Sequence, residues 1–182
     1  MGTVPPNMTD YDHERRTLRL EVPERFNFAS DVVDRWAAAD EGKLAMLWIA
    51  QEGDERRFSF GYFRDQSNRF ASGARRLGIG PGDGVLVVLP RLPEWYIVLL
   101  GLMKLGAVPM PGTTLLTAKD IAYRIKCADV KMIVTSPETA ARVEEIQVRP
   151  TAAMTSARPP TAASGKPLAR ALPSTVRSGR TP

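Results

Sequence analysis

The chain has 182 residues, 43% hydrophobic and 25% charged, the balance of an ordinary folded domain with room for a sizeable core. One cysteine excludes an intramolecular disulfide and a cysteine metal cluster, and the one histidine, His13, lies in a charged segment where a solvated ring is expected. The formal net charge of +5 belongs to the end of the chain, since residues 147–182 hold five Arg, one Lys and no acid, which leaves the body close to neutral.

The opening segment, MGTVPPNMTDYDHERR, has no apolar run of signal-peptide length, so a reducing cytoplasmic setting is expected. Residues 1–29 read as a polar arm packed on the surface. Ser30 is the predicted N-cap of a helix with Val33, Trp36 and Ala37 on one face. Strands are predicted at Leu44–Gln51 and Arg56–Phe60, joined as a hairpin through the turn EGDE. Ser59 caps the next helix, in which Phe63, Ser67, Phe70, Ala74 and Leu77 recur at helical spacing and Gly78 marks the stop.

Val85–Pro90 is apolar on both faces, as buried parallel strands are. Pro93 then heads a helix that runs to about Leu105 and is apolar nearly all round. The longest unbroken apolar run, Trp95–Met103, falls short of the roughly 20 residues a membrane span needs. Gly106 ends that helix and AVPMP is a short strand. Thr117, with Asp120 three residues on, predicts a capped helix that holds Cys127, read as a buried and inert thiol beside Ile125 and Ala128. Lys131–Ser136 is a strand and Pro137 heads a further helix. Strands alternating with helices predict an α/β domain, a doubly wound parallel sheet, over residues 30–146.

From 147 to 182 the sequence turns to Ala, Pro, Thr, Ser and Arg without aromatics or period. Such a segment buries too little apolar surface to offset its ordering entropy, so a disordered basic tail is expected. The change is abrupt, and out-of-frame translation after a frameshift is the expectation it raises.

The block GDGVLVVLPRLPEWYIVLLGLMKLGAVPMPGT resembles the N-terminal region of the AMP-forming, adenylate-forming ligases. The resemblance rests on Gly82–Asp83, a strand ending in Pro90, Pro93–Glu94 on a helix, and Lys104–Val108. Upstream, Asn68 and Arg69 match the Asn-Arg position of the preceding helix, and Met110–Thr113 (MPGT) is most similar to the medium-chain acyl-CoA synthetases. The resemblance spans about residues 20–146 and implies part of the doubly wound N-terminal domain of that fold. It implies a right-handed strand–helix–strand crossover at the domain's centre. On their own chemistry Trp95 is read as core rather than a substrate contact and Glu94 as a partner of the helix dipole rather than an acid catalyst.

For the full-length family the resemblance implies ATP, Mg²⁺ and CoA acting on a carboxylic (fatty) acid. An acyl-adenylate and pyrophosphate form first, and the CoA thiol then displaces AMP. The family's phosphate loop, acidic nucleotide motif, ribose-binding Asp and mobile-domain Lys correspond to sequence downstream of this match. Nothing substitutes for them. Gly78–Gly84 (GIGPGDG) ends a helix and precedes a strand, the reverse of a phosphate loop, and Thr135–Thr139 has no glycine and carries Glu138. SGK at Ser164–Lys166 follows no strand, and no carboxylate cluster suggests a metal. No catalytic residue and no bound cofactor are therefore expected of this chain. The loop after MPGT lies near the family's acyl and CoA channel, which makes Thr113, Thr114 and Leu115 the substrate-adjacent candidates. Two non-enzymatic alternatives are self-association through an exposed apolar sheet edge and salt-sensitive nucleic-acid binding by the basic tail. The tail has no aromatics for base stacking, so the sequence argues against the second.

Overall fold

Val85, Leu86, Val87 and Val88 are all fully buried, and the architecture follows from having to cover both of their faces. A computed structural model describes residues 10–21, 23–146, 152–156 and 169–171. Among the described residues seven strands form two sheets. β1 (Leu44–Ile49) and β2 (Glu55–Ser59) are an antiparallel hairpin. The second sheet has the order β4-β3-β5-β6-β7, with β3 (Gly84–Val88), β4 (Val108–Pro111), β5 (Val130–Thr135), β6 (Ala152–Ser156) and β7 (Ala169–Ala171). β3, β4, β5 and β6 are parallel and β7 is antiparallel to β6.

The helices are α1 (Tyr11–Thr17), a π-helical turn at Ala29–Asp34 that runs into α2 (Arg35–Ala39), α3 (Phe60–Arg76), α4 (Pro93–Leu105), α5 (Ala118–Cys127) and α6 (Pro137–Glu144). Successive strand residues point to opposite faces. Val85 and Val87 of β3 therefore join Met132 and Val134 of β5 in a core with Ala71 and Ala74 of α3 and Val98, Leu102 and Leu105 of α4. Leu86, Val88 and Ile133 face the other way, against Ile121 and Ile125 of α5, with Val143 of α6 packed alongside. A third cluster joins Phe58 of the hairpin to Phe63 of α3, Ile97 and Leu100 of α4, and Ala29 and Val33 of the π-turn. The sheet is thus doubly wound, with α3 and α4 on one face and α5 and α6 on the other.

Several local predictions hold. Ser59 caps α3 by accepting the Tyr62 N–H at 3.1 Å. Pro93 stands in the first turn of α4, and Gly106 ends it in the left-handed conformation at φ 69°. Thr117 and Asp120 form a reciprocal capping box on α5. α4 is buried nearly all round, and Gly101 lets it approach α3: a Cβ there would lie 2.7 Å from Phe70 and 2.9 Å from the Ser67 carbonyl oxygen.

Other expectations need correction. Ser30 is not the first cap. The helical segment starts at Ala29, and the Asn27 side chain accepts from Ala29 N at 3.1 Å while Asp31 accepts from Asn27 N at 2.6 Å. The same Asn27 donates to the Met103 carbonyl at 2.6 Å and so docks the arm on α4. The arm itself contains α1, whose residues are all exposed. Cys127 is exposed rather than buried. The buried stripe of α5 is Ile121 and Ile125, and two residues beyond Ile125 a helix has turned to its opposite face. Two pieces of the 147–182 segment also differ from the expected lack of order, since 152–156 and 169–171 are strands. β6 pairs with the open edge of β5, and a backbone ladder of that kind asks little of the side chains. Of the tail cations only Arg170 lies in a described segment; Arg149, Arg158, Lys166, Arg177 and Arg180 lie outside the described residues.

Three polar ties fix the layers. Lys104 Nζ reaches Asp34 at 2.7 Å, Asn68 at 2.8 Å and the Arg64 carbonyl at 3.4 Å, joining α4 to the π-turn and α3. Asp83 accepts from Gly80 N at 2.8 Å and pairs with Lys131 at 2.8 Å across the sheet. Gly82 N donates to the Gly106 carbonyl at 2.8 Å, which ties the turn before β3 to the end of α4.

Two substitutions separate close packing from helix propensity. Gly101→Ala is expected to lower unfolding free energy by about 1–3 kcal/mol through overpacking. Gly73→Ala, where an added Cβ meets nothing within 4 Å, should raise it by about 0.5–1 kcal/mol. Urea denaturation reads both, and equal signs would contradict the packing described. A second expectation concerns acid. The Lys131 partner, then the Gly80 N–H, hold Asp83 below the ordinary 3.8, and the Thr117 hydroxyl does the same for Asp120. These contacts stabilise fully above that value and are lost as pH falls through the lowered ones. Asp83→Asn should therefore flatten the acid limb of a stability–pH curve, and an unchanged limb would contradict the assignment.

Candidate functional site

β3 and β4 both end where the chain cannot continue a ladder. Pro90 and Pro93 break it after β3, and Gly112 follows β4 with its N–H on the Val87 carbonyl at 2.8 Å. Between these two strand ends lies an open cleft of about 610 Å³. Its location follows from topology. β3 sits between β4 and β5; its connecting helix α4 covers one face, while α6, which follows β5, covers the other. The crevice at the carboxyl ends of strands beside such a switch is where open α/β sheets take ligands.

Leu89, Pro90 and Arg91 form one wall of the cleft, Trp95 and Tyr96 of α4 supply an aromatic wall, and Thr113 and Thr114 close it from the loop after β4. Trp95 and Tyr96 meet edge to face with centroids 5.0 Å apart. Trp95 also packs against the core, so the expected core role holds together with a place on the cleft. Among the described residues the Arg91 guanidinium has no ion-pair partner. Its backbone is held from outside the cleft, because Trp48 of the hairpin donates its indole N–H to the Arg91 carbonyl at 3.0 Å. Glu94 occupies the first turn of α4 as predicted and is 3% exposed, and its Oε2 has no hydrogen-bond partner among the described residues. Burial, then the nearby Glu94 carboxylate, raises the Tyr62 phenol above its ordinary value.

Two of the three substrate-adjacent candidates line the cleft. Thr113 and Thr114 do; Leu115 is 83% exposed and does not. The loop that carries them is pinned by Arg142 of α6, which donates to the Thr114 carbonyl at 2.6 Å and the Leu116 carbonyl at 3.1 Å. Leu115 N donates to Thr113 Oγ1 at 3.3 Å. Asn27, Trp48, Arg91 and Arg142 did not stand out in the sequence. The features that marked other positions, caps and periodicity, act over three or four residues, whereas Trp48 acts 43 residues away and Arg142 acts 28.

Among the described residues no group of three or more His, Cys, Asp or Glu is placed to hold a metal, and no helix is long and apolar enough to cross a membrane. Gly78–Gly84 is the turn between α3 and β3 together with the first residue of β3, and Thr135–Thr139 spans the end of β5 and the start of α6, with Ser136 and Thr139 hydroxyls 2.8 Å apart, both buried. Neither has the strand–glycine loop–helix form of a phosphate cradle.

The sequence model of the AMP-binding enzyme family matches residues 33–177, which runs past Ile146. The chain is 45% identical over 132 residues to the mouse mitochondrial acyl-coenzyme A synthetase ACSM1, covering 69% of this chain and 23% of that protein. It is 36% identical over 149 residues to human mitochondrial acyl-coenzyme A synthetase ACSM3, covering 79% and 25%. Among solved structures, an acyl-CoA synthetase from Brucella canis superposes with a TM-score of 0.70 at 25% identity, over 85% of this chain and 28% of that one. A benzoate CoA ligase from Burkholderia xenovorans gives a TM-score of 0.58 at 28% identity, over 66% and 23%. The chain spans about a quarter of the length of the curated relatives it matches.

The hairpin's hold on the cleft can be measured. Trp48→Phe removes one hydrogen bond to Arg91 and should cost about 1 kcal/mol of stability. It should also speed amide exchange in the loop from Arg91 to Trp95 while leaving β5 unchanged. Exchange unaltered in that loop would contradict a clamping role.

Proposed function

The chain belongs to the AMP-binding enzyme family, and on that premise we propose that it is the N-terminal part of an ATP-dependent acyl-CoA synthetase. The reaction of the whole enzyme joins a carboxylic acid to CoA. The acid's carboxylate attacks the α-phosphorus of ATP, pyrophosphate leaves, and the CoA thiolate then displaces AMP from the acyl-adenylate. Mg²⁺ and a preorganised set of phosphate-binding groups carry the first step. This chain's contribution is the scaffold and one wall of the substrate channel. Thr113 and Thr114 line the cleft at the β4 end, and Arg142 holds their loop in place. We assign Leu115 to the outer side of the same loop.

The observation that carries this reading is the family match over residues 33–177, joined to a doubly wound sheet with a cleft at the carboxyl ends of β3 and β4. We further propose that this chain alone does not turn over, because the described residues hold no phosphate loop and no metal cluster.

A chimera tests the assignment. Residues 30–146 replace the matching segment of the mouse relative, and acyl-CoA formation is assayed with ATP, Mg²⁺, CoA and butyrate or hexanoate. The chimera is expected to be active and the isolated chain to release no pyrophosphate. Thr113→Val with Thr114→Val in the chimera should lower kcat/KM about tenfold, the loss of one or two substrate hydrogen bonds. An inactive but folded chimera, or turnover by the isolated chain, would overturn the reading.

A second reading rests on β4, which ends the sheet among the described strands and exposes 48% of Val108. Such an edge can pair with another copy. A monodisperse monomer on sizing at micromolar concentration would remove it.

A further inference from the structure

We propose that the outer face of the β1–β2 hairpin docks a second copy of this chain, Leu47 and Glu55 of each copy meeting Ile49 and Arg57 of the other. The proposal stands on the hairpin's own pattern and does not depend on the ligase reading.

β1 reads LAMLWI, apolar at every position, which is the pattern of a strand covered on both faces. Only one face is covered. Met46 and Trp48 pack with Phe58 into the cluster beneath the hairpin. Leu47 and Ile49 alternate with them and point away, with 44% and 58% of their surface exposed. Across the ladder Leu47 stands opposite Arg57 and Ile49 opposite Glu55, and both charged residues are exposed. Cross-strand partners share a face, so these four side chains form one outer surface. Neither Arg57 nor Glu55 has an ion-pair partner among the described residues. The bulge of β1 lies between Leu44 and Met46, so the ladder under this surface is regular.

The surface has two rows, Leu47 with Arg57 and Ile49 with Glu55, and such a pattern is its own complement. A two-fold axis lying in the interface, at right angles to the strands, keeps β1 over β1 and β2 over β2 while reversing the order of the rows. Leu47 then meets Ile49, Arg57 meets Glu55, and every contact occurs twice. The charge pattern singles out this occupant. A lipid surface leaves Glu55 and Arg57 unmatched, and a partner carrying one sign of charge repels one of them. Four residues a side fall well short of the roughly 20–30 of a stable interface, so the association is weak, with a Kd on the order of 100 µM.

Charge reversal tests the arrangement. Sedimentation equilibrium of the full chain across about 20–500 µM is expected to show a monomer–dimer equilibrium. Glu55→Arg and Arg57→Glu each set like charges against each other at both polar contacts and should weaken self-association about tenfold. Mixed in equal amounts, the two variants should recover the unsubstituted chain's dimer fraction, because one supplies both cations and the other both anions. That recovery also shows that both variants fold. Val108→Lys, at the exposed β4 edge, should leave the equilibrium unchanged. A chain that stays monomeric throughout would overturn the proposal. So would an undiminished dimer in either charge variant, no recovery in the mixture, or loss of the dimer in Val108→Lys. A monomeric chain that instead binds the mouse relative deleted of its matching segment would give the face to that polypeptide and overturn the proposal as well.

Discussion

Lys104 is an ammonium with 9% of its side chain exposed, on the helix that lies over the middle of the sheet. Three groups from two other segments converge on it: the Asp34 carboxylate, the Asn68 amide oxygen and the Arg64 carbonyl. A charge so far out of water is stable only when its donors are matched, so the geometry of α4 relative to α3 and the π-turn is tightly set. The rest follows mechanically. The position of α4 fixes Pro93 at its head, and Pro93 fixes where β3 must give way to a loop. That loop carries Arg91, and the first turn of α4 carries Trp95 and Tyr96. The cleft is therefore a consequence of how α4 is anchored at its other end.

The residues by which the chain resembles its family perform this anchoring rather than chemistry. Asn68 is an acceptor for Lys104. Asp83 caps the turn before β3 and pairs with Lys131 on β5. Gly106 supplies the left-handed stop of α4, and its carbonyl takes the Gly82 N–H. These positions weld the turn before β3 to the end of α4 and so hold the crossover at both ends. A resemblance carried by such residues speaks for the scaffold.

Much of the scaffold was legible because its causes are local. Ser59, Pro93 and the Thr117–Asp120 pair act within one helical turn, and the unbroken apolar run of β3 could only be a strand covered on both faces. What escaped had non-local or rotational causes. Asn27 carries no local signal to set it above Ser30, because its value lies in reaching the Met103 carbonyl, 76 residues away. Cys127 was expected to be buried because it neighbours Ile125 in sequence, but helical neighbours in sequence point about 100° apart. Thr113 and Thr114 follow from the resemblance, whereas Arg91 and Tyr96 line the same cleft, Arg142 pins its loop, and none of the three carries a sequence pattern of its own. The strands at 152–156 and 169–171 have a composition that argues against a core, while the β5 and β6 edges they pair with ask only for backbone.

The anchoring role of Lys104 is tested most directly by a double-mutant cycle with Asp34, using Lys104→Met, Asp34→Ala and the double variant in urea denaturation. A coupling of about 1 kcal/mol or more is expected, with each single variant costing more than its share because it strands the other charge. Effects that add to within about 0.5 kcal/mol would contradict the claim that this part-buried ion pair sets the placement of α4.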